Sequence, residues 1–406
     1  MKEWPNILAS EYCYNVTDGT HDSPKPVTEG RYLITSKHIK NNEIDFASAY
    51  KISENDYQKI ITRSGVNQWD IIISMIGAYC GFCYVESSKN TDYAIKNVGL
   101  FKVGEEIKCK WLYYYLTSPQ GKQQLSMLRS GSTQPYIALN SLRNLLIPVP
   151  NSENMESIVK IMDSIDAKIR VNRQINDNLE QQLQSLYREW FIENPKADWT
   201  TVNLSEIASF TSGYSYKGNE LVESSDTAMA TIKNFERNGG FKIDGYKPIV
   251  PSAKLKIDQR AQLFDILVAH TDLTQNAEVI GNAEILLSKD IYKDLIFSMD
   301  LVKVNAKDSF PFQFLLALLL KNPRFKSHCI GYVNGTTVLH MNKRALPDYE
   351  TIIPNSEDAQ SLNATAKAIF CQMSENLTEI LNLTKLRDTL LPKLMSGELK
   401  INEIDC

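Results

Sequence analysis

The chain has 406 residues, of which 43% are hydrophobic and 23% charged, a composition that excludes a wholly disordered protein. This length exceeds one ordinary core and predicts two domains plus connecting elements. The net charge of −4 excludes a uniformly basic surface. The acidic excess lies in residues 151–195 and 355–406 (−3 each), so residues 1–150 (+2) and 196–354 (0) can present local basic faces.

No segment predicts a membrane protein or a metal site. The longest apolar run, Phe314–Leu320, is too short to cross a bilayer, and the first ten residues lack the apolar core of a signal peptide. We therefore expect a cytoplasmic protein that does not contact a membrane. Seven cysteines are scattered, and the close pair Cys80 and Cys83 has no second pair or nearby histidine, so we expect reduced thiols.

The predicted elements alternate between β-rich and helical segments along the chain. Residues 1–150 contain short β-rich runs broken by Gly, Asn, Ser and Pro, and end in an extended apolar stretch. A long helix is predicted over 151–195, with Asn151 and Ser152 as N-cap candidates. Residues 196–354 and 355–406 repeat this order. The sequence thus predicts two mixed domains, 1–150 and 196–354, each followed by a spacer helix, and the second helix carries a tail.

The two halves also match in sequence. The offset between matching strings drifts from about 195 to 204 residues, which predicts a loop insertion in the second half. Four pairs of strings occur in the same order: Thr35–Ile39 with Thr231–Phe235, Trp69–Ile73 with Phe264–Val268, Gly131–Thr133 with Gly335–Thr337, and Pro150–Glu153 with Pro354–Glu357. Their shared order argues against chance and indicates an internal duplication.

Both helical segments carry a heptad pattern, and adding 204 to the first set of positions gives the second. The first helix has Met162, Ile169, Asn176, Leu183 and Trp190 at one seam position, and Ile165, Asn172, Leu179 and Leu186 at the other. The second has Ala366, Met373, Ile380, Arg387 and Leu394, and Ile369, Asn376, Leu383 and Leu390. A repeat of this length predicts one coiled coil within the chain. The alternative is two amphipathic helices packed separately on their own domains.

Three seam asparagines fix a register for this coiled coil. Two like domains related by a twofold axis require antiparallel helices, in which one seam position faces the other. A buried amide without a partner costs ~1–3 kcal/mol, so we predict Asn176 opposite Asn376. The same register sets Ile165 opposite Arg387, whose charged head would have to extend to the rim. The alternative is another register, with each asparagine satisfied by water or backbone.

Several strings resemble the specificity subunits of type I restriction-modification systems. They lie at residues 18–24 (DGTHDSP), 33–40 (LITSKHIK), 69–77 (WDIIISMIG), 131–134 with 147–150 (GSTQ and IPVP), and 386–399 (LRDTLLPKLMSGEL). With the duplicated plan, the resemblance covers nearly the whole chain. The family implies an α+β fold: two repeated mixed α/β target-recognition domains separated by two long helices that form an antiparallel coiled coil. Each domain would read half of an asymmetric, interrupted DNA sequence.

The resemblance also implies partners. These are double-stranded DNA, two modification subunits that methylate adenine from S-adenosylmethionine, and ATP-dependent restriction subunits. The chain has no phosphate-binding P-loop and no Asn-Pro-Pro-Phe tetrapeptide, so we expect a non-catalytic subunit without cofactor or metal. One alternative is a coiled-coil scaffold that binds only proteins. Another is a detached recognition arm of a single-chain restriction-methylation enzyme, which the complete second repeat disfavours.

Candidate DNA contacts in the first half lie in or beside three of these strings. Small loop residues allow close approach to phosphate, Gln134 suits adenine, and Arg129 suits guanine or phosphate. An ordinary polar turn, solvated lysines and a turn-stabilising histidine are the competing interpretations. The predicted residues are Thr20, His21, Lys37, Lys40, Arg129, Ser132, Thr133, Gln134 and Tyr136.

The second half departs from the family pattern. Thr211–Lys217 (TSGYSYK) replaces the Asp-Gly-Thr-His string, and Val338 stands where the first half has Gln134. We therefore predict that the two domains read different bases. The predicted contacts here are Tyr214, Lys217, Lys233, Arg237, Asn334, Thr336 and Thr337. Asp70 and Asp265, each ahead of an apolar strand, are predicted to form turns rather than to bind metal.

Overall fold

The protein consists of two compact units. The computed structural model describes residues 4–40, 42–131, 134–237, 239–274, 276–335 and 338–399. The first unit runs to Ala167 and resumes at Leu383, and the second is Lys168–Asn382. Both boundaries between the units fall inside long helices, so each unit contains a part of each helix. The predicted boundaries at 150, 195 and 354 follow the repeat in the sequence and stay a prediction.

The first unit begins with a series of short strands. In chain order its first elements are β1 (Asn6–Leu8), α1 (Ala9–Tyr12), β2 (Asn15–Asp18), β3 (Arg31–Ile34), β4 (Ile39–Lys40), β5 (Glu43–Ile44), β6 (Lys51–Ile52), α2 (Glu54–Ser64), β7 (Asp70–Ser74), β8 (Cys83–Val85), β9 (Tyr93–Ile95) and β10 (Val98–Lys102). There follow α3 (Glu106–Thr117), α4 (Pro119–Met127), β11 (Arg129–Ser130), β12 (Tyr136–Ile137), α5 (Leu139–Arg143), β13 (Leu146–Pro148) and the first part of α6 (Ser152–Arg188).

The core of the first unit lies on an antiparallel sheet of order β2-β10-β7-β8. Every residue of β7, Asp-Ile-Ile-Ile-Ser, is buried, which is typical of a strand covered on both faces. A smaller sheet of order β6-β3-β9 contains a parallel pair, β3 with β9. Ile34 and Ile95 from that pair pack in one cluster with Ile72 and Leu100 of the larger sheet. Apolar burial therefore ties the two sheets together.

The second unit follows a similar series. After the rest of α6 and a π-helical turn at Glu189–Glu193 it contains β14 (Thr200–Asn203), α7 (Leu204–Ile207), β15 (Ala208–Ser212), β16 (Thr227–Ala230), β17 (Lys247–Pro248), β18 (Arg260–Ala261), β19 (Ile266–Ala269), β20 (Thr271–Asp272), β21 (Ala283–Ile285), β22 (Asp294–Phe297) and β23 (Leu301–Ala306). The series ends with α8 (Gln313–Leu320), α9 (Pro323–Ile330), β24 (Val333–Asn334), β25 (Leu339–Met341), β26 (Glu350–Ile353) and the first part of α10 (Ser356–Met395).

The main sheets of the two units have the same topology, and each unit contains one parallel strand pair. The order β15-β23-β19-β21 reproduces β2-β10-β7-β8, and the parallel pair β16 with β22 reproduces β3 with β9. The residues that precede the central strands, Trp69 and Phe264, share an unusual left-handed backbone, with φ of 65° and 70°. The duplication predicted from the sequence is therefore a duplication of structure.

The two aspartates at the start of the central strand region form the predicted turns. Asp70 accepts a hydrogen bond from the Asn67 amide, and Asp265 accepts one from the Gln262 amide, both at 2.8 Å. Each carboxylate also faces a lysine of the neighbouring strand: Lys102 at 3.0 Å and Lys303 at 3.4 Å. Burial raises the pKa of Asp70, while the amide and the ammonium oppose that rise. The prediction of turn formers is confirmed in both units.

The parts of α6 and α10 in the second unit run antiparallel. Asn376 donates to the Asn176 side-chain oxygen at 2.7 Å, and Asn172 donates to Glu379 at 2.7 Å, so residue numbers rise on one helix as they fall on the other. Asn172 and Asn376 are buried. The predicted pairing of Asn176 with Asn376 is thus confirmed. The supercoil that would make this pair a coiled coil stays a prediction.

The layer at Arg387, in the first unit, differs from the prediction. Its guanidinium donates to Asp166 at 3.1 Å and to the adjacent Asp388 at 2.9 Å, and the Arg387 side chain is only 30% exposed. The sequence predicted a head that extends to the rim past Ile165. The heptad lists missed Asp166, a non-seam residue one position along, because they tracked only apolar spacing. An ion pair removes the need to reach solvent.

The described ranges contain neither a membrane-spanning helix nor a cluster of metal-binding side chains. None of the helices there combines the length and the apolarity of a bilayer span. No three His, Cys, Asp or Glu side chains in those ranges lie together as a metal site would require.

Candidate nucleic-acid interface

The differing sequences that open the two units form the same turn. At Gly19 a Cβ atom would lie 2.4 Å from the Ile95 carbonyl oxygen, and at Gly213 it would lie 2.0 Å from that of Ser298. The next residues, Thr20 and Tyr214, form parallel bridges to the facing strand ends. Only glycine permits this approach of two backbones. The glycine, rather than the Asp-Gly-Thr-His string, is what the units share.

His21 stabilises the turn of the first unit. Its Nδ1 lies 2.9 Å from the Asn97 side-chain oxygen, and its Nε2 lies 3.0 Å from Asp18. Arg63 donates to the other oxygen of the same carboxylate. The His21 side chain is 68% exposed, so the ring remains open to a ligand while both nitrogens are held. The geometry supports the turn-stabilising interpretation and fixes the direction of the ring.

Lys37 and Lys40 are exposed beside this turn. Lys37 lies on a short helical turn, Ser36–His38, that is closed by a hydrogen bond of 3.0 Å from the Thr35 amide to His38 Nδ1. Burial, reinforced by the nearby Lys37, lowers the pKa of His38, which keeps that nitrogen an acceptor. Among described residues neither lysine has a carboxylate within ion-pair distance. Both ammonium groups are therefore open to phosphate.

The hairpin of β11 and β12 carries Arg129, Gln134 and Tyr136. Arg129 donates to the Cys80 carbonyl at 2.6 Å, Gln134 is exposed, and Tyr136 is 45% exposed. The hairpin is fixed to the short helical turn Gly77–Tyr79 by a hydrogen bond from the Gly77 amide to the Pro135 carbonyl. Ser132 and Thr133, also predicted as contacts, lie outside the described residues.

Contacts between the turns bring the three predicted strings of the first unit together. Ser36 donates to the carbonyl of Asn97, whose side chain holds His21. The turn Ser36–His38 also lies beside the turn Gly77–Tyr79. The second of these turns anchors the hairpin of β11 and β12. Residues separated by more than 100 positions thus form one connected surface.

The second unit presents a comparable set. Lys233 is exposed on the turn Ile232–Asn234, which is closed by a hydrogen bond of 2.9 Å from the Thr231 amide to Asn234, as His38 closes the first. Lys217 is exposed, and so is Asn334 on the hairpin of β24 and β25. Arg237 pairs with Glu278 at 3.1 Å, which offsets its charge. Thr336 and Thr337 lie outside the described residues.

Tyr214 and Thr20 are placed differently from the prediction. Tyr214 is 3% exposed, and its hydroxyl lies 2.8 Å from Glu220 and 2.9 Å from Ser252. Thr20 is 8% exposed. Both follow the glycine of the shared turn, so their side chains point into the unit. Burial makes these residues structural, because a DNA contact needs an accessible side chain.

The sequence reasoning missed an exposed aromatic pair. Tyr79 is 39% exposed and Phe82 41%, with ring centroids 5.8 Å apart. Their strings are apolar and favour a core interpretation. The overlooked signal is the flanking glycines, Gly77 and Gly81, which adopt φ of 76° and 98° and turn the chain outward.

The fold and these surfaces define a class: a duplicated α+β protein whose two units present exposed turns and hairpins in the same topological places. Residues 26–181 match the family described as Type I restriction modification DNA specificity domain. The chain is similar to type I restriction-modification specificity subunits.

Relatives match across most of the chain. The type I restriction enzyme MjaIX specificity subunit of Methanocaldococcus jannaschii is 23% identical over 392 residues, covering 91% of this chain and 87% of that protein. The HindI specificity subunit of Haemophilus influenzae is 26% identical over 361 residues, covering 71% and 77%. The crystal structure of the type I S subunit from M. genitalium has a TM-score of 0.55 at 16% identity, over 96% of both chains. That likeness confirms the predicted α+β fold.

Proposed function

We propose that this chain is the non-catalytic, DNA-reading subunit of a type I restriction-modification complex, and that each unit reads half of a bipartite, asymmetric target. The observation that carries the proposal is one scaffold used twice with different exposed side chains. Gln134 and Tyr136 of the first hairpin correspond to Val338 and His340 of the second. Because the two units share a backbone scaffold, their hairpins would approach DNA in the same way. The different side chains on the two hairpins would then select different bases.

The chemistry of the first unit suits a DNA groove. One nitrogen of Arg129 is held by the Cys80 carbonyl, which leaves its other N–H donors for guanine or phosphate. The exposed Gln134 amide can pair with adenine. Lys37 and Lys40 supply charge to flanking phosphates, which positions the unit without selecting a sequence. In the second unit, Lys217 and Lys233 would contact phosphates, and Asn334 on the hairpin would contact a base.

The remaining parts of the proposal concern partners. We expect residues 1–150 and 196–354 to contact double-stranded DNA, and the helical segments 151–195 and 355–406 to dock two modification subunits. ATP-dependent restriction subunits would join that complex, which acts on DNA in the cytoplasm. The chain needs no cofactor for this role, because methyl transfer and cleavage belong to the partners.

A domain exchange tests the proposal. The chain would be assembled with its modification subunits, and residues 1–150 replaced by a recognition domain of different specificity. Sequencing of methylated adenine should show a change in one half of the motif, and replacement of 196–354 should change the other half. Loss of both halves in a complex that still assembles would contradict independent reading. A wild-type complex without salt-dependent affinity for duplex DNA would favour a protein-only scaffold instead.

A further inference from the structure

Two aromatic rings protrude from the segment between β7 and β8 of the first unit. Tyr79 and Phe82 lie edge to face, with an interplanar angle of 67°. Their exposures of 39% and 41% are large for side chains of this size, which usually contribute most of their area to a core or an interface. An exposed pair of this kind points to a ligand that covers it.

The exposure is built into the backbone. The Phe82 amide donates to the Tyr79 carbonyl at 3.0 Å, so the segment between the rings is a closed turn. The end of the turn at Gly81 and Phe82 is tied to β7, because the Ser74 amide donates to the Phe82 carbonyl and the Ser74 carbonyl accepts from the Gly81 amide, each at 2.8 Å. The rings therefore protrude from a fixed turn, and little ordering cost attends binding to them.

Three cationic residues lie on elements next to the pair. Arg129 is bonded to the Cys80 carbonyl between the two aromatic residues. Lys37 is on the turn that lies beside Gly77–Tyr79, and Lys40 is on β4, which lies beside β8. The nearest acid in strand register is Glu43, opposite Lys40 on β5. Flat apolar faces inside a positive rim complement a ligand with flat bases and an anionic backbone.

We propose that Tyr79 and Phe82 contact nucleobases of the target DNA, while Arg129 and the two lysines hold the flanking phosphates. This inference rests on the proposed function and names residues of the first half-site that no family string contains. The bridge of Ile76 with Tyr136 corresponds to the pairing of Thr271 with His340. Counted from those residues, Thr274 stands at the position of Tyr79, so the aromatic contact belongs to the first unit alone.

The test uses the complex of this chain with its modification subunits and a duplex that contains the methylated motif. Tyr79→Ala and Phe82→Ala should each weaken binding by about 5- to 150-fold, the range for loss of one aromatic–base contact. The slope of log affinity against log salt should not change, because no phosphate contact is lost. Phe82→Tyr keeps the ring and should retain affinity. Tyr14→Ala is the matched control, since Tyr14 is an exposed tyrosine of the same unit at 62%.

A second pair of variants separates the rim from the rings. Lys37→Gln and Lys40→Gln should each reduce the salt slope by about 1 and weaken binding to all sequences alike. Wild-type affinity and an unchanged methylation motif in the Tyr79→Ala, Phe82→Ala double variant would overturn the inference and leave the proposed function intact. So would a double variant that loses its modification subunits, because the rings would then contact protein. Failure of the wild-type complex to bind duplex DNA would overturn both.

Discussion

At matched positions beside the main sheet, the two units have side chains of different chemistry. On the edge strand of the main sheet, Tyr84 of β8 occupies the position that Glu284 occupies on β21, as the pairing with the central strand shows. Two residues ahead of the matched prolines Pro119 and Pro323, Thr117 corresponds to Lys321. The first unit thus has a phenol and a hydroxyl where the second has a buried carboxylate and a lysine. The main sheet has the same strand order with either set of side chains, so the strand order does not depend on the ion pair of Glu284 and Lys321.

The helix pair shows a second contrast. In the second unit its polar layer is the amide pair of Asn176 and Asn376, whereas the first unit has the ion pair of Asp166 and Arg387. Both layers satisfy polar groups inside an apolar seam. The two layers are not at matched positions of the repeat, because the 204-residue offset matches Asn176 with Ile380 and Arg387 with Leu183. Replacements in each unit should reveal how much each arrangement contributes.

The largest effect is expected at Lys321. Its ammonium contacts Glu284, which is 4% exposed, and Glu180 at 3.2 Å. Lys321→Met leaves a buried carboxylate without its cation and should cost about 3–5 kcal/mol of unfolding free energy. Denaturant unfolding would measure the loss, and hydrogen exchange should place it in the second unit. Thr117→Met, at the matched position of the first unit, should cost less, and an equal loss from both would contradict the contrast.

The contribution of Lys321 to stability should depend on pH. Burial lowers the pKa of Lys321, but Glu284 and Glu180 outweigh that effect and raise it to about 12. Because the folded pKa lies above the unfolded value near 10.4, the pair stabilises the protein fully below that value. Its contribution is lost as pH rises through the folded pKa.

A smaller effect is expected in the helix pair. Asn376→Leu removes the donor to the Asn176 oxygen and should cost about 1–3 kcal/mol, because a half-buried acceptor is left without its partner. The double variant Asn176→Leu, Asn376→Leu replaces both amides with apolar groups and should recover much of that loss. A double-mutant cycle by denaturant unfolding measures the coupling. Strictly additive losses would show that the two amides do not depend on each other.

The smallest effect concerns acid and the turn Ser36–His38. Burial, then Lys37, lowers the pKa of His38, so the unfolded chain binds the proton more tightly. Stability of the first unit should therefore decline as pH falls below about 6.5, the unfolded value, towards the folded pKa. Asn234 closes the matching turn and does not titrate, so His38→Asn should flatten this decline. Hydrogen exchange in the first unit between pH 7.5 and 5 tests it, and an equal decline in the wild type and the variant would contradict it.

Much of the architecture was determined by the sequence alone. The duplication, the turn-forming aspartates and the pairing of Asn176 with Asn376 all follow from spacing along the chain. A strand period, a heptad or a constant offset repeats locally, and antiparallel symmetry turns one matched pair of asparagines into a register. Such features need no knowledge of which distant segment covers a residue.

Only the tertiary structure decided which side chains face solvent and what they meet. Tyr214 lies in the core, Arg387 pairs with Asp166, and Tyr79 and Phe82 protrude, each against the simplest interpretation of its string. In every case the outcome depends on a partner far along the chain or on a left-handed glycine that redirects the backbone. Local pattern assigns a residue to a strand or a helix, but burial is a property of two surfaces brought together.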